Sequence, residues 1–118
     1  MAKILVVDDA ATDRMNLEKI LSEAGHLITT AQSGKEAIEK AKSDKPVLIF
    51  MDVNMAEMDG FAATRALQAD AATKGIPIVF VTSKDQKADK MWGQMLGAKA
   101  YVTKPYTKEQ ILEQVKGL

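Results

Sequence analysis

The sequence predicts an α/β fold, a parallel sheet of five strands alternating with five helices that cover both of its faces. Two observations carry the prediction. Short apolar runs alternate with stretches of helical spacing along the 118 residues, and such alternation implies right-handed crossovers between parallel strands. The best of these runs, in residues 3–8, 47–52 and 76–82, are apolar at consecutive rather than alternate positions, as strands buried on both faces are.

KILVVD, residues 3–8, is the first strand. ATDRMNLEKILSEAG follows as a helix, with Met15, Leu17, Ile20, Leu21 and Ala24 near helical spacing and Gly25 as its stop. HLITTA is a weaker second strand. SGKEAIEKAKSDK is the second helix, with Ser33 near its start; it stops before Pro46 because the residue preceding a proline avoids the helical region. VLIFMD, residues 47–52, is the third strand, apolar until its last residue, and DGFAATRALQADA the third helix. IPIVFVT, residues 76–82, and DQKADKMWGQMLGA give the fourth strand and helix. KAYVTKP, residues 99–105, is a short fifth strand, and TKEQILEQVKGL is the last helix, opened by Thr107 and ending near Gly117.

No linker, repeat or low-complexity segment interrupts this rhythm, so residues 1–118 are expected to form one domain. Lys+Arg and Asp+Glu number 16 each, which gives no electrostatic reason to bind nucleic acid. With no cysteine and one histidine, His26, a disulfide framework is excluded and a zinc site disfavoured. The opening MAKILVV reads as neither a signal peptide nor a membrane span, and a cytoplasmic location is expected.

Chemistry gathers at the strand ends. In open parallel sheets, ligands bind beyond the carboxyl ends of the strands, where strand order reverses. Asp8 and Asp9 end the first strand, Asp52 the third, Thr82 the fourth and Lys104 the fifth, so all five should converge on one edge. Like charges about 4 Å apart repel by roughly 4 kcal/mol at a protein-like effective dielectric, so the three carboxylates need a raised pKa or a cation. Mg²⁺ suits a site of carboxylate and carbonyl oxygens and often shares its shell with phosphate. Three aspartates, Lys104 and Mg²⁺ sum to zero formal charge, and a phosphoryl group could then share its oxygens among the metal, Lys104 and Thr82.

VDD after the first strand, DVNMAEMDG after the third, VTS after the fourth and TKP after the fifth together resemble the receiver domain of bacterial response regulators. The resemblance spans essentially the whole chain. It implies a doubly wound (βα)5 flavodoxin/CheY-like fold with strand order 2-1-3-4-5, and a phosphoacceptor at Asp52 supplied by a histidine kinase or its phosphotransfer domain. It implies Mg²⁺ held by Asp9 directly, by Asp8 partly through water, by Asp52 and by the backbone carbonyl of Asn54. Thr82 and Lys104 would bind phosphoryl oxygens, and Lys104–Pro105 would be a cis bond. The implied switch couples Thr82 to Tyr101, and the output surface is the fourth helix, fifth strand and fifth helix, which would dock a motor or adaptor protein. The implied protein is a phosphoacceptor that loads and clears its own phosphoryl group rather than a metabolic enzyme.

Two positions depart from the family pattern. Ala56 stands where receivers usually have proline, which would loosen the loop after Asp52, and Ser83 stands where a smaller residue is frequent, which bears on access to the phosphoryl group. A stand-alone receiver, monomeric or weakly dimeric, is expected. Its segment TSKDQKADKMWGQMLGAKAYVTKP is similar to receivers of the type IV pilus chemosensory system, which control twitching motility. The alternatives are a phosphate sink for a shared kinase, a phosphorylation-independent interaction module and a small Mg²⁺-dependent phosphatase. Kinase choice is expected to lie around Arg14, Met15 and Asn16, and partner docking to involve Lys87, Lys90 and Tyr101. Among Trp92, Met95 and Leu96 at least one should pack into the core. Met51, Met55 and Met58 read as packing residues, Gly60 as a source of backbone freedom and His26 as a turn residue without a role.

Overall fold

The computed structural model describes residues 2–118. Its strands are β1 (Lys3–Val7), β2 (Leu27–Ala31), β3 (Leu48–Met51), β4 (Ile78–Thr82) and β5 (Ala100–Thr103). They alternate with α1 (Ala11–Glu23), α2 (Gly34–Asp44), α3 (Gly60–Ala69), α4 (Lys87–Met95) and α5 (Lys108–Gln114). The strands pair in parallel in the order β2-β1-β3-β4-β5. Strand order therefore reverses at β1, whose neighbours are β2 and β3, and the edge above β1 and β3 is the expected binding crevice.

Consecutive apolar residues serve opposite faces of the sheet. Leu5, Val7, Ile49, Met51 and Phe80 face α2 and α3, packing with Ala37, Ala41, Ala63 and Leu67. Ile4, Val6, Leu48, Phe50, Val79 and Val81 face α1 and α5, packing with Leu17, Leu21 and Ile111. Both faces are dry, which is why β1, β3 and β4 read as continuous apolar runs.

Local chemistry sets several helix ends. The Ser33 hydroxyl accepts from Glu36 N–H at 3.1 Å, the Asp59 carboxylate from Ala62 N–H at 2.8 Å and the Thr107 hydroxyl from Gln110 N–H at 3.2 Å. Gln110 returns the bond to Thr107 N–H, completing a reciprocal cap. α2 ends as Lys45 turns left-handed (φ 49°), one residue before Pro46.

The elements are shorter than the sequence suggests. Asp8, Asp52 and Lys104 lie just past their strands rather than inside them, and β4 begins at Ile78 rather than at 76. α3 stops at Ala69 because the Asp70 carboxylate accepts from Ala72 N–H at 2.9 Å, starting a turn in which the Thr73 hydroxyl donates to the Leu67 carbonyl at 2.7 Å. The Lys104–Pro105 bond is cis, as the resemblance implies.

Candidate functional site

The parallel register delivers the acidic strand ends to one place. Asp8 N–H donates to the Ala31 carbonyl at 3.1 Å and Asp52 N–H to the Val7 carbonyl at 3.0 Å, so both residues continue the ladder by one step while their side chains leave the core. Each carboxylate is then fixed in the same way. Asp8 Oδ1 accepts from Ala10 N–H at 2.9 Å and Asp52 Oδ1 from Asn54 N–H at 3.0 Å, two residues on in each case. The free oxygens, Oδ2 of both, meet Lys104 Nζ at 2.8 and 2.9 Å. Lys104 is itself placed by its N–H, which donates to the Thr82 carbonyl at 2.9 Å.

Both aspartates are buried, 4% and 6% exposed, and burial of like charges without partners is unfavourable. Lys104 is the partner. Burial raises the Asp8 pKa and the neighbouring Asp52 adds to the rise, against the lowering effect of bonds from Lys104 and Ala10. For Lys104, burial favours loss of the proton, but its bonds to Asp8, Asp13 and Asp52 more than offset this and hold its pKa above the ordinary value.

Asp13 is the residue the sequence reading missed. It sits in the first turn of α1 with Oδ2 2.9 Å from Lys104 Nζ, making a third carboxylate on the ammonium. An aspartate at a helix start looks like a dipole-complementing residue in any sequence, and only the placement of α1 against the strand ends reveals the pairing. The formal charge balance changes with it: four aspartates, Lys104 and one Mg²⁺ leave one net negative charge.

Asp9, exposed, is not among the salt-bridge partners of Lys104 and lines an open cleft of about 330 Å³ with Asn54, Met55, Ala56, Asp59 and Lys84. Among the described residues, no three acidic or histidine side chains are closed on a metal-sized point, and the meeting place of Asp8, Asp13 and Asp52 holds the Lys104 ammonium. The donor chemistry nonetheless fits a hard cation: Asp9, Asp59 and the 53–56 loop that follows Asp52 line the cleft with carboxylate and carbonyl oxygens, and no histidine or cysteine is among them. Asp9, Asp52 and the Asn54 carbonyl would hold Mg²⁺ there, with Asp8 behind them.

Thr82 is fully buried, its hydroxyl accepting from Lys84 N–H at 3.3 Å. Ser83 Oγ accepts from Asn54 Nδ2 at 3.4 Å, so this departure from the family pattern ties the third and fourth strand loops together. Beside Ala56, the loop closes through a bond from Met58 N–H to the Ala56 carbonyl at 2.8 Å, with Glu57 left-handed (φ 69°). Gly60 corrects the expectation of backbone freedom. Its φ is ordinary, but a Cβ there would stand 2.2 Å from the Asp52 carbonyl oxygen, so glycine is required for close approach to the Asp52 backbone.

The Tyr101 hydroxyl donates to the Lys84 carbonyl at 2.7 Å, and its ring lies 5.9 Å from Phe80. Burial and the charges of Asp89, Asp52 and Asp85 push its pKa up to about 12. On α4, Met91, Trp92 and Met95 are exposed, although the Trp92 ring meets Phe61 edge-on at 6.4 Å, and Leu96 just past the helix packs against the core. Met51 and Met55 are buried, and Met58 packs over Gly34. Near α1, Arg14 Nη1 donates to the Asp8 carbonyl at 2.8 Å and Asn16 Nδ2 to the Tyr106 hydroxyl at 3.0 Å, which leaves Met15 as the free apolar side chain of the three. His26 Nδ1 accepts from Ala2 N–H at 3.2 Å, a structural bond far from the site.

Residues 4–116 match the family model for the response regulator receiver domain. The chain is 41% identical to Protein PilH of Pseudomonas aeruginosa, over 100% of this chain and 98% of that protein. It is 34% identical to Protein PilG of the same organism, over 97% and 84% of the two. The chemotaxis protein CheY4 of Vibrio cholerae superposes with a TM-score of 0.91 at 34% identity, covering 98% of this chain and 97% of that one.

Proposed function

The chain belongs to the response regulator receiver domain family, a family of signalling modules rather than metabolic enzymes, and from that premise we propose that Asp52 accepts a phosphoryl group from a histidine kinase or its phosphotransfer domain. The observation that carries the reading is the meeting of Asp8 and Asp52 on Lys104, beside the buried Thr82. An Asp52 oxygen attacks phosphorus, the P–N bond to the donor imidazole breaks with its electron pair going to nitrogen, and an acyl phosphate forms on Asp52. Lys104 then passes from the Asp52 carboxylate to a phosphoryl oxygen, and the Thr82 hydroxyl donates to another. Mg²⁺, when bound, would offset the charge of the transferring group.

Occupation of the site would draw Thr82 and the 83–84 backbone inward. Tyr101 is tied to that backbone at the Lys84 carbonyl, so a local charge event biases the position of its ring. The surface of α4, β5 and α5 is the output, presented to a motor or adaptor protein. Similarity to PilH and PilG over nearly the whole chain supports a role in type IV pilus chemosensory signalling, as a single receiver domain, monomeric or weakly dimeric, working in the cytoplasm. No helix among the described residues is long and apolar enough to cross a membrane.

Intact mass after incubation with phosphoramidate tests this. One phosphoryl group should add to the wild type only with Mg²⁺ present, and none to Asp52→Asn. An adduct that survives in Asp52→Asn, or forms equally in EDTA, would refute the assignment.

A further inference from the structure

Lys104 Nζ has three N–H donors and three carboxylate partners, Asp8, Asp13 and Asp52, at 2.8, 2.9 and 2.9 Å. Its capacity is full. If Lys104 serves the phosphoryl group, as proposed above, it must shift from the Asp52 oxygen toward the incoming phosphoryl oxygen, and the shift pulls against its bonds to Asp8 and Asp13. Asp8 and Asp52 side chains are only 6% and 7% exposed, and each is pinned at Oδ1 by a backbone N–H. Releasing Asp8 would strand a buried charge, whereas the charge of Asp52 passes to the phosphoryl group that Lys104 follows. The Asp13 side chain is 47% exposed and borders an open cleft shared with Asn16, Lys104, Pro105 and Tyr106. It can turn into water without leaving a buried ion behind.

We propose that Asp13 is a positioning residue for the phosphoryl-binding lysine: a latch that holds Lys104 in the unphosphorylated protein and competes with the phosphoryl group for it. The latch sets how readily the site accepts and keeps phosphate, and it does so without touching the metal. The competing assignment is helix stabilisation, since an acid in the first turn of α1 complements the helix dipole. The two differ in sign. A latch opposes phosphoryl binding, whereas a helix stabiliser would support every property of the folded site.

The test uses beryllofluoride as a phosphoryl analogue at saturating Mg²⁺, on the whole chain, with wild type, Asp13→Asn and Asp13→Glu. Asp13→Asn is expected to bind the analogue about two- to fivefold tighter, the scale of a half-exposed ion pair. Mg²⁺ affinity measured alone should stay level or fall, because a nearby negative charge is lost. Asp13→Glu should return the analogue affinity toward wild type. If Asp13→Asn fails to fold, Asp13→Ser removes the same charge and is read in the same way. Analogue binding that is unchanged, or that falls together with Mg²⁺ affinity and thermal stability, would overturn the latch. A wild type that binds no beryllofluoride at all would overturn the phosphoacceptor reading and the latch with it; a binding wild type with a no tighter Asp13→Asn overturns the latch alone.

Discussion

The Lys104 ammonium lies 2.9 Å from the Asp52 carboxylate, a pairing across 52 residues of chain made by the parallel register of β3, β4 and β5. It is the only cation within salt-bridge distance of Asp8 or Asp52 among the described residues. Two buried like charges therefore depend on one side chain.

Lys104→Met should expose that dependence. With the ammonium gone, Asp8 and Asp52 face each other unpaired, and stability should fall by about 1–3 kcal/mol when measured in EDTA. Mg²⁺ should restore part of the loss, since a cation that binds only the folded site stabilises it by mass action. An equal loss of melting temperature with and without Mg²⁺ would contradict this account of the cluster.

Alkaline pH should probe Tyr101 directly. Its folded pKa is about 12 against an ordinary 10.0, so the folded state holds the phenolic proton more tightly than the unfolded chain does. The contribution is fully present below pH 10 and is lost as pH rises from 10 toward 12. Lys104, also raised, acts with the same sign and begins to lose its contribution above its ordinary 10.5. Melting temperature against pH should thus fall less steeply across that window in Tyr101→Phe than in wild type. Parallel curves for the two proteins would show that Tyr101 is not held as the structure has it.

The parallel fold and the strand-end residues were legible because they obey simple periodicities. Runs apolar at every position could only be strands covered on both faces, and a carboxylate or lysine directly after such a run must sit at the sheet's edge. Asp8 and Asp52 were legible in that way, and Thr82 and Lys104 as the ends of the fourth and fifth strands. Asp13 was not, because its contact depends on how α1 leans on the strand ends, which no spacing in ATDRMNL encodes. The purpose of Gly60 was equally hidden: an ordinary φ and a forbidden Cβ look alike in a sequence. Helix ends were read too long where a side chain takes over a backbone donor, as Asp70 does after α3.

Gly60→Ala and Ser33→Ala separate site geometry from plain stability. A Cβ at 60 would lie 2.2 Å from the Asp52 carbonyl oxygen, and the neighbouring backbone must move, for a cost of about 1–3 kcal/mol. Ser33→Ala removes the α2 cap, for about 1 kcal/mol, and touches none of the hydrogen bonds that hold Asp52. Phosphoramidate labelling should slow markedly in Gly60→Ala and stay at the wild-type rate in Ser33→Ala. Equal rates in both, at folded protein concentrations, would deny Gly60 its role in placing Asp52.

Gly93 extends the argument to the output side. It faces β5 from α4, and a Cβ there would come within 2.9 Å of Tyr101 Cδ2 and 3.3 Å of Phe80 Cδ2. Phe80 is fully buried and closely held by Phe61, whose ring packs edge-on at 5.1 Å, so it cannot yield. Tyr101 is half-buried and held by one hydrogen bond, to the Lys84 carbonyl, so its ring is the side that gives way. In Gly93→Ala the ring should leave its place, break the bond to the Lys84 carbonyl and enter water, which removes the burial that raises its pKa. Ultraviolet titration in a Tyr106→Phe background, where Tyr101 is the one remaining tyrosine, should then show its phenol titrating below about 12 and toward 10.0. A titration unchanged by Gly93→Ala would mean that α4 moves instead of Tyr101, and that the glycine does not govern the position of this ring.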